Sequence, residues 1–207
     1  MTPSDYPIES NALCAACHAL GARGWCRATS GNFSVRLDTS HCLITQSGRE
    51  KSQLTTDDLM VCDLEGKPID ANCWPSAETP LHTRLYELDD SIGAVLHTHS
   101  APATLLSLHG DAPCTVSGYE MQKALSGVVS HEEEIAIPVF DNNQDMDALA
   151  DLLASAWGTE GLSVPGFLIR GHGLYAWGSD LADAMRHVEG FEFLFECKWQ
   201  ERLANIS

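Results

Sequence analysis

The sequence predicts a single α/β domain in which helices flank a central, mixed or antiparallel sheet. Strand-like and helix-like segments alternate along the 207 residues, with no repeat, low-complexity tract or interdomain linker between them. Several successive strand-like segments are separated only by short turns, which is typical of antiparallel hairpins. The length and the 44% hydrophobic content suffice for one substantial core, so we expect residues 1–207 to form one domain.

The first half of the chain predicts a helix, three strands and a second helix. Apolar residues recur at helical spacing over residues 8–20, and two glycines end this segment. NFSVRL and HCLITQ alternate like strands and are separated by DTS, which indicates a hairpin, and LMVCD is a third strand. Leucines at helical spacing then mark a helix that begins near Ser76 or Thr79, with Pro80 in its first turn.

The second half continues the alternation of strands and helices. IGAVLHTH is typical of a buried strand, APATLLSL of a helix with an early proline, and CTVS of a short strand before the helical YEMQKALSG. IAIPVF predicts a strand, MDALADLLASAW a helix, and PGFLIRG and LYAWG two further strands. A long last helix is expected from about Ser179 to Leu203. Apolar residues exceed one narrow face of this helix, so they pack either in the core or between subunits.

The acidic composition limits the classes of partner. With 29 acidic against 12 basic residues, the formal net charge is −17, which disfavours a nucleic-acid backbone or an anionic membrane as the main partner. An anionic small substrate stays open, because a pocket can hold local positive charge that the total conceals. No apolar run approaches the length of a membrane span and the N-terminus lacks the pattern of a secretory signal, so we expect a soluble cytoplasmic protein.

The eight cysteines are spread along the chain without the density of a small disulfide scaffold, so reduced thiols are expected. CAAC at residues 14–17 has the spacing of a metal or redox motif, but it lies in a helical segment and no second pair matches it. Packing in the core is the favoured interpretation.

Two histidines stand at the end of the predicted strand IGAVLHTH. In an extended strand, residues i and i+2 point to the same side, so His97 and His99 direct both rings at one point. A catalytic metal ion such as Zn²⁺ commonly takes three protein ligands. His172 is the best candidate for the third, because it follows the strand GFLIR and the glycines beside it free the backbone to turn. Glu78, at a predicted helix start, is a further ligand or an acid–base group.

Each of these residues, taken singly, has a simpler interpretation. A lone HxH is a weak motif, since strand ends often carry exposed histidines. His172 between glycines suits an ordinary turn, and Glu78 at a helix start complements the helix dipole. The prediction of a metal site therefore depends on the four residues together.

Two loops have the composition of an anion-binding backbone nest. TSGN at 29–32 and QSGREK at 46–51 each place hydroxyl, glycine and polar groups around a strand end. Lys51 adds a point charge, and Ser76 at a helix N-terminus offers amides to the same anion. Such segments are more commonly ordinary turns, but two of them in an acidic protein suggest a phosphate.

These motifs together resemble a known enzyme family. ATSGNFSVR, SGREKSQLTTDDLMV, PSAETPLHTRLY, VLHTHS, GYEMQKALSG, IPVFDN and FLIRGHGLYAWG occur in the order found in the class II aldolase/adducin-type family. The resemblance runs from about Leu13 to about Trp199. It implies a class II aldolase-like fold, with a central, largely antiparallel sheet flanked by helices, and a homotetramer with active sites at subunit interfaces. It also implies a ketose phosphate substrate and one Zn²⁺ per subunit, held by His97, His99 and His172.

The resemblance also assigns a phosphate pocket. Ala77 stands where aldolases of the family tend to have a second serine, so that contact is absent here. The residues carried over to the pocket are Thr29, Gly31, Asn32, Ser47, Gly48 and Ser76, with Lys51 added as a candidate.

Two glutamates are implied in proton transfer. GYEMQKAL and GHGLYAWG favour a dehydratase branch of the family over its sugar-phosphate aldolases, and in that branch Glu120 matches the acid–base residue. The main proton-transfer role is therefore assigned to Glu120, with Glu78 as auxiliary ligand or base. A solvated helix residue is the alternative interpretation of Glu120.

Two alternative functions compete with dehydration. A sugar-phosphate aldolase or epimerase of the same family shares the metal and the phosphate, and analysis of the products separates it from a dehydratase. A non-catalytic, adducin-like binding protein keeps the fold, but has no need of three convergent histidines. The residues favour Zn²⁺, although Fe²⁺, Mn²⁺ and Co²⁺ accept the same ligands.

Overall fold

A seven-stranded mixed sheet forms the centre of the computed structural model, which describes residues 1–110, 112–159 and 161–205. Its strands lie in the order β3-β2-β1-β4-β9-β8-β7, and every neighbouring pair is antiparallel except β7 and β8. A separate two-stranded sheet pairs β5 with β6. The strands are β1 Asn32–Arg36, β2 His41–Thr45, β3 Leu59–Asp63, β4 Ala94–Thr98, β5 Cys114–Val116, β6 Ile135–Ile137, β7 Val139–Phe140, β8 Gly166–Ile169 and β9 Gly173–Gly178.

Five helices cover the two faces of the large sheet. Helices α1, α3 and α5 share one apolar cluster with the sheet, and α2 and α4 share the other. Strand β4 shows the alternation that this requires, because Leu96 belongs to the first cluster and Val95 to the second. The predicted α/β class, a mixed sheet flanked by helices, is confirmed. The helices are α1 Pro7–Ala22, α2 Thr79–Leu88, α3 Ala101–His109, α4 Met146–Trp157 and α5 Leu181–Ala204.

The buried stripe of α1 follows from its sequence spacing. Leu13, Cys17 and Leu20 recur at helical intervals and are 0% exposed. Cys14 is 7% exposed in the same cluster, so the core-packing interpretation of CAAC is confirmed. Burying a leucine of this kind stabilises the fold by roughly 1.5–3 kcal/mol.

Helix α5 supplies much of the core on the same face. Phe191, Leu194 and Phe195 are fully buried, whereas Phe193 is 45% exposed. Truncating either buried phenylalanine to alanine is expected to cost about 3–5 kcal/mol. Within the described ranges, neither α5 nor any other helix combines the length and the apolarity needed to cross a bilayer.

Two predicted elements differ in the structure. IAIPVF was expected as one strand, but Pro138 divides it between β6 in the small sheet and β7 in the large one. Proline has no N–H to donate to a ladder, so the chain changes partner at this residue. YEMQKALSG was expected as a helix and forms only a 3₁₀ segment, Glu120–Ala124, packed on α5.

The sheet brings four chain segments to one of its ends. The β1 residue Asn32 pairs with His97 of β4, and Thr98 of β4 pairs with Leu174 of β9. Because β1 and β2 are also antiparallel, the start of β1 lies beside the end of β2. Strand register therefore brings Asn32, His97 and the start of β9 together at this end of the sheet.

Candidate metal centre and anion-binding loops

Four side chains converge at this end of the sheet. One ligand atom from each of Glu78, His97, His99 and His172 lies within 4.8 Å of the others. The Nε2 atoms of His97 and His172 are 3.3 Å apart, and Glu78 Oε1 lies 2.9 Å from His172 Nε2 and 3.6 Å from His97 Nε2. The four residues predicted from the sequence as ligands are thus neighbours in space.

His97 is held in one tautomer by the neighbouring strand. Its Nδ1–H donates a hydrogen bond of 2.8 Å to the Leu174 carbonyl oxygen, which leaves the Nε2 lone pair facing the other three residues. The ring is 0% exposed and stacks on Tyr175 at a centroid distance of 4.0 Å. His97 is therefore oriented to act as a ligand.

His99 and His172 complete the nitrogen set. His99 lies on the same side as His97, with ring centroids 4.5 Å apart, as the alternation of an extended chain predicts. His172 reaches the centre because Gly173 lets β9 approach β4: a Cβ at Gly173 would lie 2.0 Å from the Thr98 carbonyl oxygen.

The chemistry of the cluster suits a divalent cation. In the part of the chain that the structure describes, no group hydrogen-bonds the buried His99 Nε2. Burial, together with the neighbouring imidazoles of His97 and His172, lowers the pKa of His99 to about 3, so its ring is neutral. Burial raises the pKa of the Glu78 carboxyl, but the imidazoles of His97 and His172 outweigh burial and hold that pKa far below its usual value. Three imidazole nitrogens and a carboxylate fit a divalent transition-metal ion.

Glu78 occupies the N-cap position of α2, but its side chain points to the centre instead of capping the helix. A chain of hydrogen bonds fixes it there. The Asn32 amide Nδ2 donates to Glu78 Oε2, and the Asn32 Oδ1 accepts from His82 Nε2. Ser34 Oγ lies 2.8 Å from both His82 Nδ1 and the Tyr86 hydroxyl.

The direction of these hydrogen bonds follows from the acceptors at each end. An amide oxygen only accepts, so His82 carries its proton on Nε2, and its Nδ1 accepts from Ser34. Ser34 in turn accepts from Tyr86. Burial lowers the pKa of His82 to about 3, which keeps its ring neutral. The chain therefore presents a donor to the Glu78 carboxylate and holds it in place.

The predicted anion-binding loops lie beside this chain. Gly31 has φ +79°, and a Cβ there would lie 2.7 Å from the His97 carbonyl oxygen, so the first loop lies directly against β4. Ala28 and Thr29 also have positive φ, of 53° and 65°. Lys51 is 1% exposed, and its ammonium donates to the carbonyl oxygens of Thr29 (3.0 Å) and Arg49 (2.7 Å). Lys51 thus joins the two loops instead of projecting into solvent as a free charge.

A third segment completes the group. The Ser47 amide donates to the Trp74 carbonyl oxygen at 2.9 Å, and the Asn32 amide lies 3.5 Å from Ser76 Oγ. Ser47 and Gly48 are exposed, whereas Asn32 is buried. Ser76 lies before α2 and not at its N-terminus, which begins at Thr79. Asn32 therefore contacts both Ser76 and Glu78, whereas Lys51 joins the loops that carry Thr29 and Arg49.

Glu120 lies apart from this group. Its carboxylate is 73% exposed and is paired with Lys123 at 2.7 Å and with His131 at 3.3 Å. Lys123 first, and His131 with it, lower the pKa of this carboxyl. Among the described residues, no hydrogen bond or ion pair joins Glu120 to the four converging side chains.

Two cavities reach His99 from solvent, and both contain residues that the sequence did not single out. A cavity of about 400 Å³ is bounded by His99, His172 and Arg27. The second, of about 570 Å³, leads from His99 to Trp25. His82 was also missed, although it stands four residues after Glu78 on α2 and so shares its face.

Comparison with known sequences gives one family and close relatives. Residues 11–199 match the family described as Class II Aldolase and Adducin N-terminal domain. The chain is 50% identical over 201 residues to the methylthioribulose-1-phosphate dehydratase of Yersinia enterocolitica, covering 97% of this chain and 95% of that protein. It is 51% identical over 196 residues to the protein of the same name from Pectobacterium atrosepticum, covering 94% and 95%.

Solved structures show the same fold. L-fuculose-1-phosphate aldolase from Thermus thermophilus superposes with a TM-score of 0.74 at 28% identity, over 95% of each chain. A second L-fuculose 1-phosphate aldolase has a TM-score of 0.77 at 22% identity, over 94% of this chain and 86% of its own. Both therefore share the overall fold of this chain.

Proposed function

Because the chain belongs to the class II aldolase and adducin N-terminal domain family, we propose that it catalyses the dehydration of 5-methylthioribulose 1-phosphate. The products are 5-methylthio-2,3-dioxopentyl phosphate and water, so the enzyme is a hydro-lyase. Support comes from near full-length relatives of 50% and 51% identity whose name states this activity. The observation that carries the proposal is the convergence of Glu78 with three histidines at one end of the sheet. We place the reaction in methionine salvage, in the cytoplasm.

Zinc is the ion that we propose for this centre, one per subunit. His97, His99 and His172 would hold it, with Glu78 beside them, because imidazole nitrogen and carboxylate oxygen are common zinc ligands. Such an ion supplies a Lewis acid that draws electron density from the oxygen atoms of a substrate.

Elimination of water from the substrate requires two proton movements, and tautomerisation of the product then moves a third proton from the C3 enol oxygen to C4. The C2 carbonyl of the substrate acidifies the proton on C3, and a base removes it. The C4–O bond then breaks, a C3–C4 double bond forms, and the C4 hydroxyl gains a proton and leaves as water. The resulting enol takes a proton at C4 and becomes the 2,3-diketone. A carboxylate that accepts one proton and delivers another serves both steps.

We assign the main proton transfer to Glu120 and an auxiliary role, as ligand or base, to Glu78. Glu78 is fixed by the Asn32 amide and accepts hydrogen bonds readily in its ionised form. Glu120 is exposed, and its partners among the described residues are Lys123 and His131. It makes no hydrogen bond or ion pair there with the metal-centre histidines of its own chain. We therefore propose a homotetramer in which Glu120 of one subunit enters the active site of a neighbour.

The phosphate of the substrate is proposed to bind between the three segments gathered around Asn32. The left-handed backbone at Thr29 and Gly31 is a conformation found in anion-binding nests, and the Lys51 ammonium places positive charge on the Thr29 carbonyl oxygen of the same loop. Ser47, Gly48 and Ser76 supply further donors on the other two segments.

The test is incubation of purified, metal-analysed protein with 5-methylthioribulose 1-phosphate, with the products followed by mass. Loss of one water, in a reaction that stops on chelation and resumes with zinc, is the expected result. Cleavage into two carbonyl fragments would instead establish an aldolase, the activity named for the Thermus thermophilus structure at 28% identity. Absence of bound metal and of turnover would favour a binding protein of the adducin type.

A further inference from the structure

We propose that the cleft between His99 and Trp25 binds the methylthio end of the substrate. This inference rests on the proposed function and extends it to a site of substrate specificity. The cleft has a volume of about 570 Å³ and passes along the first turn of α3. That volume exceeds the space needed for a methylthio group, so a further part of the substrate chain also fits.

The cleft is joined directly to the candidate metal centre. His99 lines it, and the His99 amide donates a hydrogen bond of 2.7 Å to the Trp25 carbonyl oxygen. The position of Trp25 is therefore fixed relative to a proposed ligand of the metal. On the facing side, α3 contributes Ala101, Pro102 and Leu105, which offer only carbon atoms from their side chains.

The phosphate end of the substrate needs a polar environment and the methylthio end an apolar one. The site provides these on different sides of the candidate metal centre. Asn32 and Ser76, which belong to the proposed phosphate pocket, lie on the Glu78 side of the centre. The cleft lies on the His99 side. A substrate whose middle carbons lie at the metal would therefore direct its phosphate to the first side and its sulfur to the second.

The chemistry of the cleft suits a thioether. Sulfur is polarizable and makes favourable contacts with aromatic rings, and an indole offers the largest such ring. Charged groups occur at the rim, but Arg23 is already paired with Glu189 at 2.7 Å and lies 5.1 Å from the centroid of Trp25. Arg27 donates to the Gly24 carbonyl oxygen. Glu196, Ser100 and Thr104 also line the cleft. Its apolar part is formed by Trp25 together with Ala101, Pro102 and Leu105.

The experiment compares two substrates that differ only at C5. One is 5-methylthioribulose 1-phosphate, and the other is 5-deoxyribulose 1-phosphate, which lacks the methylthio group. Wild-type enzyme should prefer the first in kcat/KM by about tenfold to a hundredfold, the usual discrimination of an apolar pocket. Trp25→Ala should reduce this preference at least about tenfold while kcat/KM for the deoxy substrate changes little. Trp25→Phe should retain most of the preference.

A second variant of the same cleft keeps the test informative if Trp25→Ala fails to fold. Leu105→Gln changes the facing wall and should also reduce the preference, whereas Leu105→Met should retain it. Leu152→Ala serves as the control, because Leu152 is 52% exposed on α4, across the sheet. Metal content and circular dichroism are measured for every variant.

The outcomes separate this inference from the proposed function. An unchanged preference in folded Trp25→Ala and Leu105→Gln would overturn the inference alone. Equal losses for both substrates would also overturn it, because they would show that the cleft does not recognise the methylthio group. If wild-type enzyme dehydrates neither substrate, the proposed function fails and this inference fails with it.

Discussion

The carboxylate of Glu192 accepts a hydrogen bond of 2.7 Å from the hydroxyl of Thr98, the last residue of β4, which stands between His97 and His99. Glu192 belongs to α5 and is 2% exposed. The helix is thereby attached to the end of β4, where His97 lies in the strand and His99 directly follows it. Burial raises the pKa of this carboxyl to about 7, although Thr98 and Ser100 oppose the shift.

Replacing Glu192 with glutamine should alter the pH dependence of stability. Between the usual value of 4.5 and about 7, the folded protein holds a proton that the unfolded chain releases, so the free energy of unfolding falls as pH rises. The Glu192→Gln variant should lack this pH-dependent decrease in the free energy of unfolding, which amounts to roughly 3 kcal/mol between pH 4.5 and about 7. Urea denaturation of metal-free protein from pH 5 to 8 measures the difference. Parallel plots of unfolding free energy against pH for wild type and variant would contradict the prediction. Glu132 is exposed, so Glu132→Gln is the control and should follow the wild type.

His97→Ala should lose metal and activity together. The ring supplies Nε2 to the centre and is already oriented by Leu174, so alanine removes a preorganised ligand. Metal affinity should fall at least about a hundredfold. Atomic emission of dialysed protein gives the metal content, and turnover is measured on the same sample. His109→Ala, on the exposed end of α3, should change neither quantity. Full metal content with full turnover in His97→Ala would exclude this histidine as a ligand.

Glu120→Gln should keep the metal and lose turnover. The side chain lies outside the four converging residues, so its replacement leaves them intact. Loss of a general acid–base group lowers kcat by about a hundredfold to ten-thousandfold. Metal content and kcat are compared with those of Glu134→Gln, which is also exposed. An undiminished kcat would show that Glu120 is a solvated surface residue with no part in the reaction.

Mixing the two inactive variants tests whether Glu120 acts between subunits. If each site combines the histidines of one subunit with Glu120 of another, coexpressed Glu120→Gln and His97→Ala chains form some sites with both residues intact. Random assembly restores about a quarter of the sites in a closed ring of like interfaces. Activity of the purified hybrid, beside each variant expressed alone, gives the answer. A hybrid as inactive as its parents would show that Glu120 acts within its own chain or not at all.

Asn32→Ala should raise KM and also lower kcat. The first effect follows from the proposed phosphate pocket, and the second from the loss of the donor to Glu78. Removing one neutral partner of a buried hydrogen-bonded group costs about 1–3 kcal/mol, or roughly tenfold to a hundredfold in rate or affinity. Steady-state kinetics separate the two effects. Ser76→Ala removes the 3.5 Å contact to Asn32 and the 3.3 Å hydrogen bond from the Glu78 backbone amide, but leaves the donor to the Glu78 carboxylate in place, so it should mainly raise KM. An unchanged KM in Asn32→Ala would count against the pocket.

The parts of the site that depend on local geometry could be predicted from the sequence. His97 and His99 share a side because alternation is a property of any extended strand, and His172 follows the end of another strand. The break at Pro138 also had a local signal, since proline inside a strand pattern argues against a continuous strand.

The remaining features depend on which segments meet in space. The Tyr86–Ser34–His82 chain joins a helix to a strand about 50 residues away, and no periodicity reports such a contact. Lys51 was expected to offer its charge to a ligand, whereas its two carbonyl partners come from tertiary packing. The separation of Glu120 from the histidines within one chain likewise depends on the whole fold.

The hydrogen bond from His97 to Leu174 also limits when the candidate metal centre can form during synthesis of the chain. The two residues are 77 positions apart, so the bond forms only after β9 has been synthesised and paired with β4. His172 enters the centre with the same strand. A nascent chain that ends before β9 carries only part of the ligand set, and long-range pairing of this kind is among the slower events of folding. A divalent ion that needs all four ligands could therefore bind only after β9 has paired with β4.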